Sequence, residues 1–257
     1  MRKALNNAAG KDAIVLVHGF NHDARCWNLV VKELQAMAPE VEVLSVDLPG
    51  RGSKKREFFV RSAEAAAKSV IRDIDRQNIH RAFLVGHSLA GHTLPHAATM
   101  LGEERLLGQM YIAASIPPDG KSFFTTLFPW RVISLPIELF CKTNIPMKVP
   151  KPLREYLWCC KTTPKEVRDL VHSGAVWEGM CLFGAPVHWP KGIVRKNSFW
   201  VRTLQDRGAT QRLQSQYRDE LGYDEEIFID APHDCMLSHP RETAEIILAK
   251  YRQCRGD

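Results

Sequence analysis

The sequence predicts an α/β fold, a mostly parallel sheet flanked by helices, with an inserted, mainly helical segment. Three observations carry this. Short apolar runs rich in β-branched residues alternate with stretches of helical periodicity up to residue 115. That pattern breaks between residues 116 and 196, and it resumes from 197 to 257. Alternation of this kind implies parallel strands joined by crossover helices.

The elements follow in order. "AIVLV" (13–17), "EVLSV" (42–46), "AFLVG" (82–86) and "GQMYIAA" (108–114) read as buried strands. "CWNLVVKELQAM" (26–37) places Trp27, Val30, Val31, Leu34 and Met37 on one helical face. "SAEAAAKSVIRDIDRQ" (62–77) carries a stripe of Val70, Ile71 and Ile74, and Ser62 is placed to cap it. The stretch 116–196 is rich in proline and aromatic residues and shows no clear strand, so it reads as a helical cap. Strand "SFWVRTL" (198–204), helix "ATQRLQSQYRDELG" (209–222), strand "EEIFIDA" (225–231) and helix "RETAEIILAKYRQ" (241–253) complete the chain. The expected organisation is one core from 1–115 and 197–257, with a cap from 116–196.

The chain has 257 residues, 45% hydrophobic and 25% charged, the balance of an ordinary globular protein. No run approaches the roughly 18 apolar residues of a membrane span. The opening residues carry a basic pair but no apolar leader core, and a soluble, cytoplasmic protein with no membrane partner is expected. The seven cysteines include no Cys-x-x-Cys pair, and free thiols packed as small hydrophobes are expected. The net charge of +6 is dispersed. Its densest cluster, "RGSKKR" (51–56), reads as a solvated loop, and without a recognisable module no nucleic-acid partner is expected.

One short motif carries chemistry. Gly86-His87-Ser88-Leu89-Ala90-Gly91 lies after the third strand and before a helix-like segment. There a serine on a tight turn is presented at the carboxyl edge of the sheet. A serine hydroxyl needs a base to take its proton, and the base needs an acid to orient it. Asp206, just past "SFWVRTL", and His233, just past "EEIFIDA", stand at the same sheet edge. An oxyanion would be held by the backbone amides of Phe20, in the loop after the first strand, and Leu89, next to the serine.

With these residues in place the chain resembles an α/β-hydrolase fold protein, and within it the plant-type methylesterase and hydroxynitrile lyase group. The resemblance rests on Val17-His18-Gly19, Gly86-His87-Ser88-Leu89-Ala90-Gly91, Thr203-Leu204-Gln205-Asp206 and His233-Asp234-Cys235-Met236-Leu237-Ser238-His239-Pro240. It covers the core and is weak in the cap. The chain departs from it in having Ala90 for glycine at the elbow and Pro232 directly before the histidine, where φ is fixed. The resembling lyases carry threonine in place of Gly19 and lysine in place of Asp234, so the resemblance implies hydrolysis and not cyanide release. It also implies a homodimer and no metal or organic cofactor.

The remaining residues read more plainly. His92 and His96 stand four apart, but no third ligand accompanies them and Pro95 should disturb a helix there. His18 reads as a structural hydrogen-bonder. His22, His172, His188 and His239 have no evident partners. Asp47 also ends a strand and competes with Asp206 for the acid role. The aromatics Phe123, Phe124, Phe128, Trp130, Phe140, Tyr156, Trp158, Trp177, Phe183 and Trp189 are divided between a substrate pocket and the cap's own core. "PLREYLWCCK" (152–161) reads as a helix over the site. The expected function is a serine esterase (Ser88, His233, Asp206) acting on a small hydrophobic or aromatic ester, a methyl ester among them. The alternatives are lyase, C–C-bond or lactone chemistry with the same residues, or a catalytically silent ligand-binding protein.

Overall fold

The computed structural model describes residues 10–57, 62–127 and 131–256. In chain order its strands are β1 (Lys11–Val17), β2 (Glu42–Val46), β3 (Ile79–His87), β4 (Leu106–Ile112), β5 (Pro146–Met147), β6 (Glu178–Gly179), β7 (Ser198–Thr203) and β8 (Glu225–Ile229). Six of them form one parallel sheet in the order β2-β1-β3-β4-β7-β8. β4 is buried along its whole length and β1 from Ala13 to Val17, as expected of strands covered on both faces. The sequence reading placed every sheet strand, with β3 beginning earlier than expected, at Ile79, which pairs with Lys11.

The helices are α1 (Asn28–Met37), α2 (Ala63–Arg76), α3 (Leu94–Arg105), α4 (Phe123–Leu127), α5 (Arg131–Lys142), α6 (Lys151–Trp158), α7 (Lys165–Gly174), α8 (Cys181–Gly184), α9 (Gln211–Leu221), α10 (Cys235–Ser238) and α11 (Pro240–Arg255). The crossover from β1 to β2 runs one way along the sheet and that from β2 to β3 runs back. Right-handed connections therefore put α1 on the opposite face from α2 and α3. The packing of α1 on α11, and of α2 on α3, follows that division. Ser62 Oγ accepts from the Ala65 amide at 3.1 Å, so the expected cap of α2 is formed. Val70 and Ile74 are fully buried on its apolar stripe.

Pro95 does not break α3. It stands in the first turn, where an N–H would have no intrahelical acceptor. Between β4 and β7 the chain leaves the sheet and forms α4 to α8. This segment also contains a strand pair that the sequence reading missed: β5 and β6 pair antiparallel, Pro146 opposite Gly179 and Met147 opposite Glu178. All seven cysteines are free.

Candidate active site

The strand order reverses beside β1 and β3, and a crevice opens there at the carboxyl ends of the strands. Ser88 follows β3 directly, at φ +53°, a left-handed conformation that a serine holds only when its surroundings enforce it. A Cβ on Gly86 would stand 2.7 Å from the Leu94 methyls and 3.0 Å from Ala90 Cβ. The empty space at position 86 is what lets Ala90 stand where the resembling group has glycine. Gly91 lies against the Ser115 carbonyl too closely for any side chain. The Ser115 amide donates to the Ser88 carbonyl at 2.9 Å, fixing the turn to the strand beside it.

His233 and Asp206 meet this serine. The Ser88 hydroxyl donates to His233 Nε2 at 3.0 Å, and His233 Nδ1–H donates to Asp206 Oδ2 at 2.7 Å. Pro232 leaves the ring in register with both. Burial disfavours an imidazolium at His233, but the charge and hydrogen bond of Asp206 outweigh it and hold the pKa above the ordinary 6.5. Asp206 is itself held: Oδ2 also accepts from Thr203 Oγ1 at 2.9 Å and Oδ1 from the Ala209 amide at 2.7 Å. Gln214, fully buried on α9, donates to the Thr203 and Ala209 carbonyls at 3.0 and 2.8 Å and so braces the loop that carries Asp206. His87 Nε2–H donates to the His233 carbonyl at 2.9 Å. Burial, with His233 beside it, pushes His87 down to about 3, so it stays neutral and pins the loop that carries His233.

The loop after β1 closes the other side. His18 is a neutral structural link, as read: Nδ1–H donates to the Gly19 carbonyl and Nε2 accepts the Leu48 amide. Its burial and nearby Arg51 keep its pKa well below the ordinary value. A Cβ on Gly19 would stand 2.8 Å from Ser88 Cβ, so the site has no room for the threonine of the resembling lyases. Asn21, at φ +56°, fastens the inserted segment over this loop. Its Oδ1 accepts from the Val149 amide at 2.7 Å, its Nδ2 donates to the Met147 carbonyl at 3.0 Å, and its amide donates to Glu178 at 2.6 Å. Glu178 is ion-paired with Arg51, both buried. Arg51 is therefore not solvated as the sequence reading held, and Lys54 of the same run is paired with Asp73.

Ser88 and His233 open into a cavity of about 350 Å³. Phe20, Phe123, Phe124, Trp158, Phe183 and Tyr217 line it, with Met147, Val149, Leu153, Leu157 and Leu213. Phe183 stacks on Phe20 at 4.6 Å and on Phe123 at 4.5 Å between ring centroids. The Tyr217 hydroxyl is buried near Ser115 and Thr126, raised to about 12 by burial. The helix expected over the site is α6, which contributes Leu153, Leu157 and Trp158. Of the other aromatics expected in the cap, Phe140, Tyr156 and Trp177 are exposed, Trp189 packs beside His96, and Phe128 and Trp130 lie outside the described residues.

Asp47 takes no part. It accepts from the Ala24 and Ser53 amides at 2.8 and 2.7 Å. His92 is buried between the Leu182 carbonyl and Ser115 Oγ, with both nitrogens engaged. The sequence reading missed a buried pair behind the site, His22 Nε2 to Asp234 Oδ2 at 3.3 Å. His87, His233 and Asp234 bring potential metal-ligand atoms within 4.8 Å of one another. Both His233 nitrogens and His87 Nε2 are already engaged in hydrogen bonds, and Asp234 lies beside His22. No helix among the described residues is long and apolar enough to cross a membrane.

The sequence pattern of the alpha/beta hydrolase family matches residues 14–246. The chain belongs to that family. A protein of Oryza sativa subsp. indica named "Probable esterase PIR7A" is 25% identical over 264 residues, covering 94% of this chain and 98% of that protein. A shorter match, 33% identical over 82 residues, spans only 21% of the "Dihydrolipoyllysine-residue acetyltransferase component of acetoin cleaving system" of Pseudomonas putida. Among solved structures, an extracellular alpha/beta-hydrolase from a Paenibacillus species superposes with a TM-score of 0.74 at 20% identity, covering 93% of this chain and 98% of that one. A methylesterase from Arabidopsis superposes with a TM-score of 0.71 at 18% identity, covering 93% and 98%. These two share the fold with this chain. Family and full-length relative together support an esterase-type hydrolase.

Proposed function

We propose that the chain is a serine esterase for small hydrophobic or aromatic carboxylic esters, a methyl ester among them. The observation that carries this reading is the hydrogen-bonded series Asp206–His233–Ser88 opening into an apolar cavity. His233 Nε2 takes the Ser88 proton as Oγ attacks the ester carbonyl, and Asp206 steadies the imidazolium that forms. The Phe20 and Leu89 amides hold the tetrahedral oxyanion. The alcohol leaves with the proton from His233, and water, deprotonated by the same base, then releases the acid. The segment between β4 and β7 acts as the cap that shapes the acyl pocket. The full space at Gly19 and the buried carboxylate of Asp234 favour hydrolysis over cyanide elimination. The names of the rice and Arabidopsis proteins point to the same ester chemistry. The test is turnover of p-nitrophenyl acetate and butyrate by the wild type and Ser88→Ala. Turnover lost by at least about 10³-fold in the variant supports the reading, and equal turnover in both proteins rejects it.

A further inference from the structure

α5 is turned the wrong way round for a helix facing water. Its outward positions are Val132, Ile133, Leu135, Pro136, Leu139 and Phe140, all exposed, Val132 to 82% and Leu139 to 52%. At 100° per residue these six fall in one continuous arc. The opposite side carries the polar groups: Ser134 and Glu138 are buried, and Glu138 accepts from the hydroxyls of Ser122 and Thr125. A surface helix ordinarily points its apolar stripe inward, and a continuous exposed apolar strip marks a contact surface.

The charges beside it identify the contact. From residue 120 to 153 the chain holds one carboxylate, Glu138, and that one is turned inside. Lys121, Lys142 and Lys151 are exposed, and Lys148 is half-buried. Ile145, between two of these lysines, is exposed as well. A two-fold contact with a second copy would set this basic surface against itself, because such an interface uses the same patch on both partners. Apolar residues on one side of a helix, in a stretch of chain (120–153) that holds lysines and no exposed carboxylate, match an anionic lipid surface. At 12 residues α5 is too short to span a bilayer and long enough to lie in its interface. Leu127 and Leu153, which line the cavity above Ser88, are themselves exposed and flank α5 in the chain.

We infer that α5 seats the protein on an anionic membrane surface, with its apolar side in the headgroup boundary and the neighbouring lysines on the lipid phosphates. This goes beyond the esterase reading and does not depend on turnover. The test is co-sedimentation of the full chain with vesicles of phosphatidylcholine alone and of phosphatidylcholine mixed with phosphatidylserine. The wild type should bind the acidic vesicles at least about tenfold more tightly, at about fivefold per lysine engaged, and should lose that preference in high salt. V132E/L139E should lose binding by at least about tenfold while keeping the circular dichroism spectrum and any p-nitrophenyl acetate turnover of the wild type. A wild type that stays in the supernatant with both vesicle types overturns the inference. So does equal binding by the variant. A wild-type dimer in analytical ultracentrifugation that V132E/L139E dissolves, without lipid binding, assigns the face to a second copy instead.

Discussion

Asp206→Asn isolates the acid's role because the site dictates how asparagine must sit. The Ala209 amide donates to Oδ1 at 2.7 Å, so the asparagine carbonyl oxygen stays there. Its NH₂ then takes the place of Oδ2, facing Thr203 Oγ1 and His233 Nδ1, both of which donated to that oxygen. The threonine hydroxyl can rotate to accept. His233 Nδ1 can accept only by giving up its proton, which moves the hydrogen to Nε2, and an Nε2–H cannot take the proton of Ser88. The expected loss is about 10⁴ in kcat, about 5 kcal/mol of transition-state stabilisation. The fold should suffer little, because the replacement is isosteric and keeps the Ala209 bond. The assay is kcat on p-nitrophenyl acetate beside the thermal midpoint of each protein. A loss below about tenfold in a folded variant refutes the role of Asp206 in setting the tautomer.

Other expectations follow from the same geometry. His233 must be neutral to accept a proton and its pKa is raised, so kcat/KM should fall with acid along a limb centred above 6.5; a limb below 6.5 contradicts this. Asp234→Asn removes the buried partner of His22, which can shed its proton, so the cost is that of an unsatisfied polar group, about 2 kcal/mol or about 4–8 °C in Tm. The Asp234 contribution is present above the ordinary 3.8 and is lost as pH falls through its lowered pKa. The His22 contribution is full below 6.5 and is lost as pH rises through its raised pKa. The difference between wild type and Asp234→Asn in thermal melts should therefore be largest from about pH 4 to 6.5 and shrink above it; a difference that grows toward pH 9 contradicts the pairing. Gly19→Thr should abolish serine labelling and turnover without unfolding, since its Cβ would meet Ser88 Cβ at 2.8 Å; an active variant shows that the loop after β1 yields.

The sheet was legible because its strands centre on short apolar runs, and the meeting of Ser88, Asp206 and His233 because parallel strands bring their ends to one edge. β5 and β6 were not, since two-residue strands have no periodicity and Pro146 argues against a strand. Arg51 looked solvated inside a basic run, and its partner Glu178 stands 127 residues away. His22 and Asp234 gave no signal for the same reason: only the fold joins the loops after β1 and β8. Gln214 and Tyr217 sit on α9 among apolar core positions, and nothing in helical spacing separates a polar brace from packing. The orientation of α5 is invisible to periodicity, which reports that one side is apolar and not which way it faces.

The claim that Ser88 is an activated nucleophile is tested most directly by intact-protein mass spectrometry after treatment with a fluorophosphonate, followed by peptide mapping. An activated Ser88 gives a single adduct, on the peptide containing Ser88, that forms rapidly in the wild type, slowly in Asp206→Asn and not at all in Ser88→Ala. A wild type that takes up no label, or an adduct that persists in Ser88→Ala, would contradict it.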